Sequence, residues 1–261
     1  MLRERATVTP ATETATVRIA AAGDIHCRET HRDEVAAAFR RCIGEIDLFL
    51  LAGDITTHGE VSEAEVLAEA VTELEIPVFA VLGNHDWHLG QQREIAAVLG
   101  EAGIRMLDRS AAVCEVRGIE IGVVGAKGFV GGFSPTILPD FGEPSLRAVY
   151  AETTAEVDGL DRGLREVATC PLRLVLLHYA PVEETLEGEP RGIHAFLGSD
   201  RLAAPIREHA PDLVVHGHAH AGRLEGRIGA VPVYNVSVPV IKRDFWTIEL
   251  DVERDAAGPI R

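Results

Sequence analysis

The amino-acid sequence predicts a layered α/β domain. Short, almost wholly apolar runs alternate along the chain with amphipathic helical patterns, and parallel strands need such helical crossovers. The 261 residues suffice for one large domain with a sizeable core, and no tandem repeat or linker divides them. We expect one domain over residues 16–252, with an N-terminal extension (1–15) and a C-terminal tail (253–261).

The first part of the chain shows the strand–helix alternation most clearly. Three runs with few polar residues each end in Gly plus a polar residue, which is typical of strands buried on both faces. These runs are residues 17–24, 47–54 and 77–84. Apolar residues recur at helical spacing over residues 33–43, 62–75 and 91–100. Two βαβ units with parallel strands are therefore expected.

The later part repeats the alternation, with one long amphipathic helix predicted over residues 145–168. Further strands are predicted over residues 112–116, 119–126, 172–179, 212–218, 232–238 and 245–252. Two stretches rich in Gly and Pro, 127–144 and 183–200, each follow a predicted strand. Connections of that length are either binding loops or flexible surface insertions, and the sequence leaves both interpretations open.

Composition excludes several classes of partner. The chain has 25 Lys+Arg against 41 Asp+Glu, a formal charge of −16, which disfavours nucleic acid and anionic membranes as partners. No apolar stretch reaches the ~18 residues of a membrane span, and no export signal is visible. The four cysteines form no C-x-x-C pair, so we expect a reducing, cytoplasmic location. Nothing in the sequence indicates an oligomeric state.

Polar side chains follow the predicted strands at their carboxyl ends, where open α/β sheets bind ligands. They are Asp24, His26, Asp54, Asn84, His85, Asp86, His178, His218 and His220. Carboxylate, amide and imidazole groups in this number suit divalent metal ions, and the absence of thiolate spacing disfavours a structural zinc site. The count exceeds the needs of one ion and fits two ions about 3.5–4 Å apart.

The same residues form five motifs in a fixed order. They are D-x-H (Asp24, His26), G-D (Gly53, Asp54), G-N-H-D (Gly83 to Asp86), H (His178) and G-H-x-H (Gly217 to His220). The set resembles that of the calcineurin-like metallophosphoesterase superfamily over residues 17–238. The resemblance implies a four-layered α/β/β/α fold, a double β-sandwich flanked by helices.

The resemblance also implies a ligand set for each ion. The first ion would be held by Asp24, His26, Asp54 and His220. The second would be held by Asp54, Asn84, His178 and His218. Asp54 would bridge, because an aspartate can offer one oxygen to each ion whereas a neutral imidazole has one free lone pair. The expected cofactors are two divalent or mixed-valence ions, with manganese, iron and zinc all open.

These ligands imply hydrolysis of a small phosphoester. Hydroxide between the two ions would attack phosphorus in line. His85, which is not a ligand in the family, would donate a proton to the leaving oxygen or neutralise its charge. Asp86 would either orient His85 or turn away and cap the following helix. The alternative is a non-catalytic, metal-binding scaffold of the same fold, although such a scaffold would be expected to have lost ligands or His85.

Differences between this sequence and better-known branches of the superfamily narrow the range of expected substrates. Phosphoprotein phosphatases carry Asp-Arg, and purple acid phosphatases a metal-bound Tyr, where this chain has Thr57 and His58. The segments GDITTHGE (53–60) and IPVFAVLGNHD (76–86) are more similar to bacterial class III cyclic-nucleotide phosphodiesterase-like proteins. A phosphodiester is therefore favoured over a phosphomonoester.

Loop residues supply candidates for substrate binding. Lys127, Arg191 and His194 would donate to a phosphate oxygen, and Phe129 and Phe133 would flank a nucleobase or another apolar leaving group. The remaining histidines have no motif support and are predicted to be surface or structural residues, with His58 and His194 the strongest exceptions. Cys27 is either a metal-perturbing thiolate or a small packed apolar residue, and packing is favoured.

Overall fold

A computed structural model describes residues 12–255, in which two β-sheets face each other. The strands are β1 (Thr12–Ala22), β2 (Leu48–Ala52), β3 (Val78–Val81), β4 (Arg105–Met106), β5 (Ser110–Val116), β6 (Ile119–Ala126), β7 (Gly132–Phe133), β8 (Thr136–Ile137), β9 (Leu172–Leu177), β10 (Leu213–His216), β11 (Glu225–Ile228), β12 (Val231–Asn235) and β13 (Trp246–Asp255). The α-helices are α1 (Arg32–Arg40), α2 (Val61–Val71), α3 (Gln92–Glu101), α4 (Pro144–Glu166), α5 (His194–Leu197), α6 (Ala203–His209) and α7 (Val238–Ile241). Short 3-10 helices lie at Glu29–His31, His85–Trp87, Glu183–Leu186, Arg191–Ile193 and Asp200–Leu202.

The first sheet has the strand order β13-β1-β2-β3-β4. Strands β1 to β4 are parallel, and β13 pairs antiparallel with β1. Every residue of β2 and β3 is buried, as expected for central strands covered on both faces. Because the strands are parallel, the loops after β1, β2 and β3 leave the sheet at one edge.

The second sheet has the order β11-β12-β10-β9-β6-β5. Its four central strands are parallel, and β11 and β5 pair antiparallel at the edges. Strand β9 ends at Leu177 and β10 at His216, so the chain leaves each strand just before a predicted ligand. The predicted ligands therefore lie at the carboxyl ends of these strands, as expected.

Three apolar cores separate four layers. One core lies between the sheets, for example Leu50 of β2 with Leu174 of β9. A second fills the outer face of the first sheet against α1, α2 and α3, and a third fills the outer face of the second sheet against α4 and α6. The order helix, sheet, sheet, helix confirms the predicted α/β/β/α fold.

Several boundaries and elements differ from the sequence prediction. Backbone pairing of β1 with β13 extends to Thr12 and Asp255, so residues 12–15 and 253–255 continue the sheet beyond 16–252. Residues 1–11 and 256–261 lie outside the described chain. Helix α6 was not predicted, because Pro205 lies in its first turn, where proline is tolerated but resembles a breaker.

The two Gly- and Pro-rich stretches contain defined structure and pack on each other. Residues 127–144 form the β7–β8 hairpin, and residues 183–200 form short helices including α5. Backbone bonds join them, including Gly132 N–H to the Gly198 carbonyl at 2.9 Å. Among residues 12–255, no helix combines the length and apolarity needed to cross a lipid bilayer.

Candidate metal centre

The seven predicted metal ligands all lie at the mouth between the two sheets, in loops that directly follow strands. The first sheet contributes four of them, Asp24 and His26 after β1, Asp54 after β2 and Asn84 after β3. The second sheet contributes three, His178 after β9 and both His218 and His220 after β10. The structure therefore brings the complete predicted set to one place.

The backbone is strained where these side chains are aimed inward. Asp24, His26, Asp54 and His218 have φ angles of 57°, 49°, 49° and 71°, in the left-handed region that non-glycine residues rarely adopt. Backbone bonds between the loops hold them there, such as Asp24 N–H to Gly53 at 2.9 Å and His26 N–H to Asp54 at 3.0 Å. Such strain concentrates at functional sites.

Glycines of the motifs make room for the carboxylates. A Cβ on Gly83 would clash with Asp54 Oδ1, and one on Gly217 would lie 2.5 Å from Asp24 Oδ2. These two positions therefore need glycine because of close approach by an acidic ligand.

A first donor group consists of Asp24, His26 and His220, with one ligand atom from each within 4.8 Å of the others. Asp24 Oδ1 lies 2.9 Å from His220 Nε2, and Asp24 Oδ2 accepts from the His218 backbone N–H at 2.8 Å. Burial favours the neutral form of Asp24, but the bond with His220 and nearby histidine charge outweigh it and lower its pKa to about 2. Asp24 is therefore an anion, ready to bind a cation.

A second donor group consists of Asp54, His178 and His218. The His178 Nδ1–H donates to the Ala52 carbonyl at 2.8 Å, because a carbonyl can only accept. His178 Nε2 then faces Asn84 Oδ1 at 2.9 Å and Asp54 Oδ1 at 3.4 Å. Burial lowers the pKa of His218 to about 3, so its imidazole is neutral.

This geometry fits a bound cation. His178 Nε2 lies among two oxygen acceptors, and a positive ion among the three atoms satisfies all of them. The donors are carboxylate, amide and imidazole groups, which suit divalent metal ions. The structure thus provides candidate His and Asp groups for metal binding.

Asp54 connects the two donor groups through its two oxygens. Oδ1 faces His178, whereas Oδ2 lies 4.0 Å from His26 Nε2 and 3.9 Å from His85 Nε2. The carboxylate is 1% exposed, so solvent does not compete for either oxygen. The two oxygens therefore face different donor groups.

His85 points its free nitrogen into the mouth. Its Nδ1–H donates to the Thr57 carbonyl at 2.7 Å, which leaves Nε2 directed toward Asp54. One third of the side chain (33%) is exposed, so a ligand can reach it. The His85 ring also contacts the His26 ring edge at a centroid distance of 4.6 Å.

Asp86 does not orient His85, contrary to one of the two sequence expectations, and it does not cap the following helix either. Its oxygens accept from the Thr56 backbone and hydroxyl groups at 2.8 and 2.7 Å, and from the Gly83 N–H at 2.8 Å. The carboxylate is fully buried, so it cannot touch a substrate. Asp86 instead joins the loop after β2 to the loop after β3, and the Thr57 carbonyl holds His85.

Lys127 lies beside the centre, whereas Arg191 and His194 belong to the second loop and line a cavity. The Lys127 carbonyl accepts from the His178 backbone N–H at 3.1 Å. His194 bonds Glu183 at 3.1 Å, and it lines a cavity of about 720 Å³ with Arg191. None of the seven predicted ligands lines that cavity.

Phe129 and Phe133, the two aromatic residues predicted to flank a leaving group, lie in different surroundings. Phe129 packs edge to face on Tyr179, whose ring contacts the His218 ring at 4.3 Å. Phe133 is buried in a small apolar cluster with Leu186 and Leu197 that joins the two loops, and it also lines the cavity that contains Arg191 and His194. Loop-to-loop packing is a long-range contact that loop position alone does not reveal.

Three further side chains near the centre are held by packing or by hydrogen bonds within the protein. Cys27 packs in the apolar core of the first sheet, and burial raises its pKa to about 12, which agrees with the packing interpretation. His58 is held by Glu63 through two bonds of 2.7 Å. His216 is fully buried and bonds the Thr185 hydroxyl at 2.8 Å, which anchors the second loop.

The sequence did not predict two contacts near the centre, because they involve a backbone atom and a residue distant in the chain. The Phe196 carbonyl lies 3.2 Å from His218 Nε2, and this residue is 64% exposed at the mouth. Buried Glu156 of α4 accepts from the Gly128 N–H at 2.9 Å and from Arg109 at 3.0 Å, fixing the turn that follows Lys127. An acidic residue on the predicted buried stripe of a helix was the available signal for Glu156.

Comparison with known proteins agrees with the geometry. Among solved structures the chain resembles a phosphopantetheinyl hydrolase from Mycobacterium tuberculosis, with 13% identity, a TM-score of 0.62 and coverage of 90% of this chain and 96% of that one. It resembles the anchor in the inner membrane complex of Plasmodium, with 13% identity, a TM-score of 0.54 and coverage of 86% of this chain and 72% of that one. It also resembles a protein named as a putative 5′-nucleotidase from Staphylococcus aureus, with 15% identity, a TM-score of 0.54 and coverage of 85% of this chain and 48% of that one.

At these identities the solved structures show a shared fold and no more. A search of curated proteins finds no match. The sequence does match the model for calcineurin-like phosphoesterases over residues 17–222, which is most of its length. The chain therefore belongs to the calcineurin-like phosphoesterase family.

Proposed function

We propose that the protein is a dinuclear metal-dependent phosphoesterase that hydrolyses a small phosphodiester or phosphomonoester. The observation that carries the proposal is the placement of Asp54, one oxygen of which faces each donor group while His85 lies 3.9 Å away. A structural metal site needs no free imidazole beside its bridging ligand, whereas a hydrolytic site does.

The proposed ligand sets follow the two donor groups. Asp24, His26, Asp54 and His220 would hold the first ion. Asp54, Asn84, His178 and His218 would hold the second. The two ions, when bound, supply Lewis acidity that polarises the phosphoryl group and makes water a better nucleophile near neutral pH.

The chain's own residues position and protonate the reacting groups. Water attacks phosphorus opposite the leaving oxygen and gives up a proton to solvent, so that one P–O bond forms while the ester P–O bond breaks. His85, protonated on both ring nitrogens for this step, transfers the proton on Nε2 to the departing oxygen and keeps the Nδ1 proton that it shares with the Thr57 carbonyl. Asp86 acts through the backbone, because it fixes the loops that carry Asp54 and His85.

A phosphodiester is the favoured substrate class within this proposal. Support comes from the segments 53–60 and 76–86, which are similar to class III phosphodiesterase-like proteins and lack the acidic-basic pair of phosphoprotein phosphatases. Two neighbours in fold are named for hydrolysis of phosphate compounds, as a phosphopantetheinyl hydrolase and a 5′-nucleotidase. The charge of −16 favours a small substrate over a polyanion.

Hydrolysis assays with defined metals test the proposal. Chelator-stripped protein is reloaded separately with manganese, iron or zinc and assayed with bis-p-nitrophenyl phosphate and p-nitrophenyl phosphate. We expect metal-dependent turnover, faster on the diester, that is lost in Asn84→Ala and in His85→Ala. Two bound ions per chain without turnover on either substrate would favour the scaffold alternative instead.

A further inference from the structure

Lysine is rare in this chain, and one of its two lysines lies beside the metal centre. Of the 25 Lys+Arg residues, 23 are arginine, and the lysines are Lys127 and Lys242. An ammonium is a compact point charge that binds a single anionic oxygen, whereas a guanidinium forms a planar fork. The use of lysine at position 127 therefore indicates a confined cationic position.

Three aromatic rings surround the Lys127 ammonium. Nζ lies 4.2 Å from the ring centroid of Phe129, 5.2 Å from Tyr179 and 6.0 Å from Trp87. It also donates to the Gly128 carbonyl at 3.0 Å. We call these three rings and Lys127 the aromatic-lysine cluster. Its rings fix the position of the ammonium without neutralising its charge.

No anion in the described part of the chain neutralises Lys127. The carboxylate with the largest charge interaction with Lys127 is that of Glu156, whose oxygens are already bonded to Arg109 and to the Gly128 N–H. Among residues 14–253, no carboxylate forms an ion pair with Nζ, although arginines such as Arg109 do form them. A partly buried charge without a counter-charge is costly, and a bound anion offsets that cost.

The ammonium lies outside the ligand set but next to it. The Tyr179 ring contacts the rings of His178 and His218, and the same ring lies 5.2 Å from Lys127 Nζ. Trp87, 44% exposed, lies in the same short helix as His85, so the cluster borders both the ligand set and His85. An anion bound to Lys127 is thus adjacent to the phosphoryl group at the ions and distinct from it.

We infer that Lys127 is a specificity-determining residue that binds a second anionic group of the substrate, next to the scissile phosphoryl group. The substrate class is then a phosphoester that carries a further phosphate, as in a diphosphate-linked compound. This inference rests on the proposed function, because it takes the metal centre as the site of the first phosphoryl group.

Selective acetylation tests the inference without requiring turnover. Manganese-loaded His85→Asn protein is treated with N-acetoxysuccinimide in the presence of AMP or ADP, and modification of each lysine is measured by mass spectrometry. Exposed Lys242 serves as the internal reference. We expect ADP to protect Lys127 at least several-fold better than AMP, with Lys242 modified equally in both.

Calorimetric affinities of the two nucleotides provide the second measurement, with Lys127→Met and the matched control Lys242→Met in the same background. Loss of one charged contact should weaken ADP binding about tenfold in Lys127→Met and reduce its advantage over AMP, whereas Lys242→Met should bind as the parent does. Equal protection by AMP and ADP, or equal weakening of both, would overturn the role of Lys127 alone. Failure of both nucleotides to bind would overturn the phosphoryl site as well.

Discussion

The two sheets contribute different chemistry to the same metal centre. The first sheet supplies both carboxylates, the amide of Asn84 and the candidate proton donor His85. The second sheet supplies imidazoles to the set, from His178, His218 and His220. Carboxylate charge and proton transfer thus belong to the first sheet, whereas imidazole ligands come from both, His26 from the first sheet and three from the second.

Each of the two predicted ligand sets nevertheless draws on both sheets. Asp24 and His26 meet His220 across the mouth, and Asp54 meets His178 and His218 in the same way. No predicted ion could keep its ligands if the sheets separated. The comparison teaches that the centre is a property of the closed sandwich, and that bound ions should in turn hold the sandwich closed.

The largest effect should come from the proton donor on the first sheet. His85→Ala removes the imidazole beside Asp54 without removing a ligand, so kcat should fall about 10²- to 10⁴-fold on a substrate with a poor leaving group while metal content stays at the wild-type value. Steady-state kinetics and metal analysis measure both. His209→Ala, on the outer face, is the matched control and should keep full activity. A His85→Ala enzyme as active as wild type would remove the functional difference between the sheets.

Removal of the ions tests whether they connect the sheets. At a metal concentration about 1,000 times Kd, each ion contributes about 4 kcal/mol, so loss of both ions corresponds to a fall of about 20 °C in Tm on chelation. Differential scanning calorimetry with and without chelator gives this shift. His220→Ala, which removes a second-sheet ligand, should show a smaller shift. A Tm that chelation leaves unchanged would contradict the account.

The Asp86→Asn variant tests whether the buried Asp86 carboxylate stabilises the loops of the first sheet. An amide cannot accept all the N–H and O–H donors that the buried carboxylate accepts, so the free energy of unfolding should fall by about 2 kcal/mol. Urea denaturation measures the change. Asp140→Asn, at an exposed ion pair, should change stability by less than about 0.5 kcal/mol. Equal effects of the two variants would argue against Asp86 as the connection between the loops.

The smallest effect concerns Cys27, the first-sheet residue next to a predicted ligand. Cys27→Ala removes a buried sulfur from the apolar core and should lower stability by about 1 kcal/mol, with activity and metal content unchanged. Thermal unfolding and the diester assay provide the readouts. A change in metal content would show that the thiol belongs to the centre after all.

The sequence predicted the layers and the convergence of ligands because both depend on local patterns. Apolar runs marked β2 and β3, and polar residues after them marked the sheet edge. The direction of the Asp86 side chain and the burial of Phe133 depend on contacts between distant loops, which no local pattern encodes. The left-handed backbone at Asp24 and Asp54 was equally invisible, because neither residue is glycine.

Counting the ions bound by wild-type and Asp54→Asn protein tests the central claim most directly. After equilibrium dialysis against manganese, elemental analysis should give two ions per chain for wild type. It should give one or fewer for Asp54→Asn, since an amide cannot offer an oxygen to each ion. Two ions retained in Asp54→Asn, or a single ion in wild type, would contradict a centre in which Asp54 bridges the two donor groups.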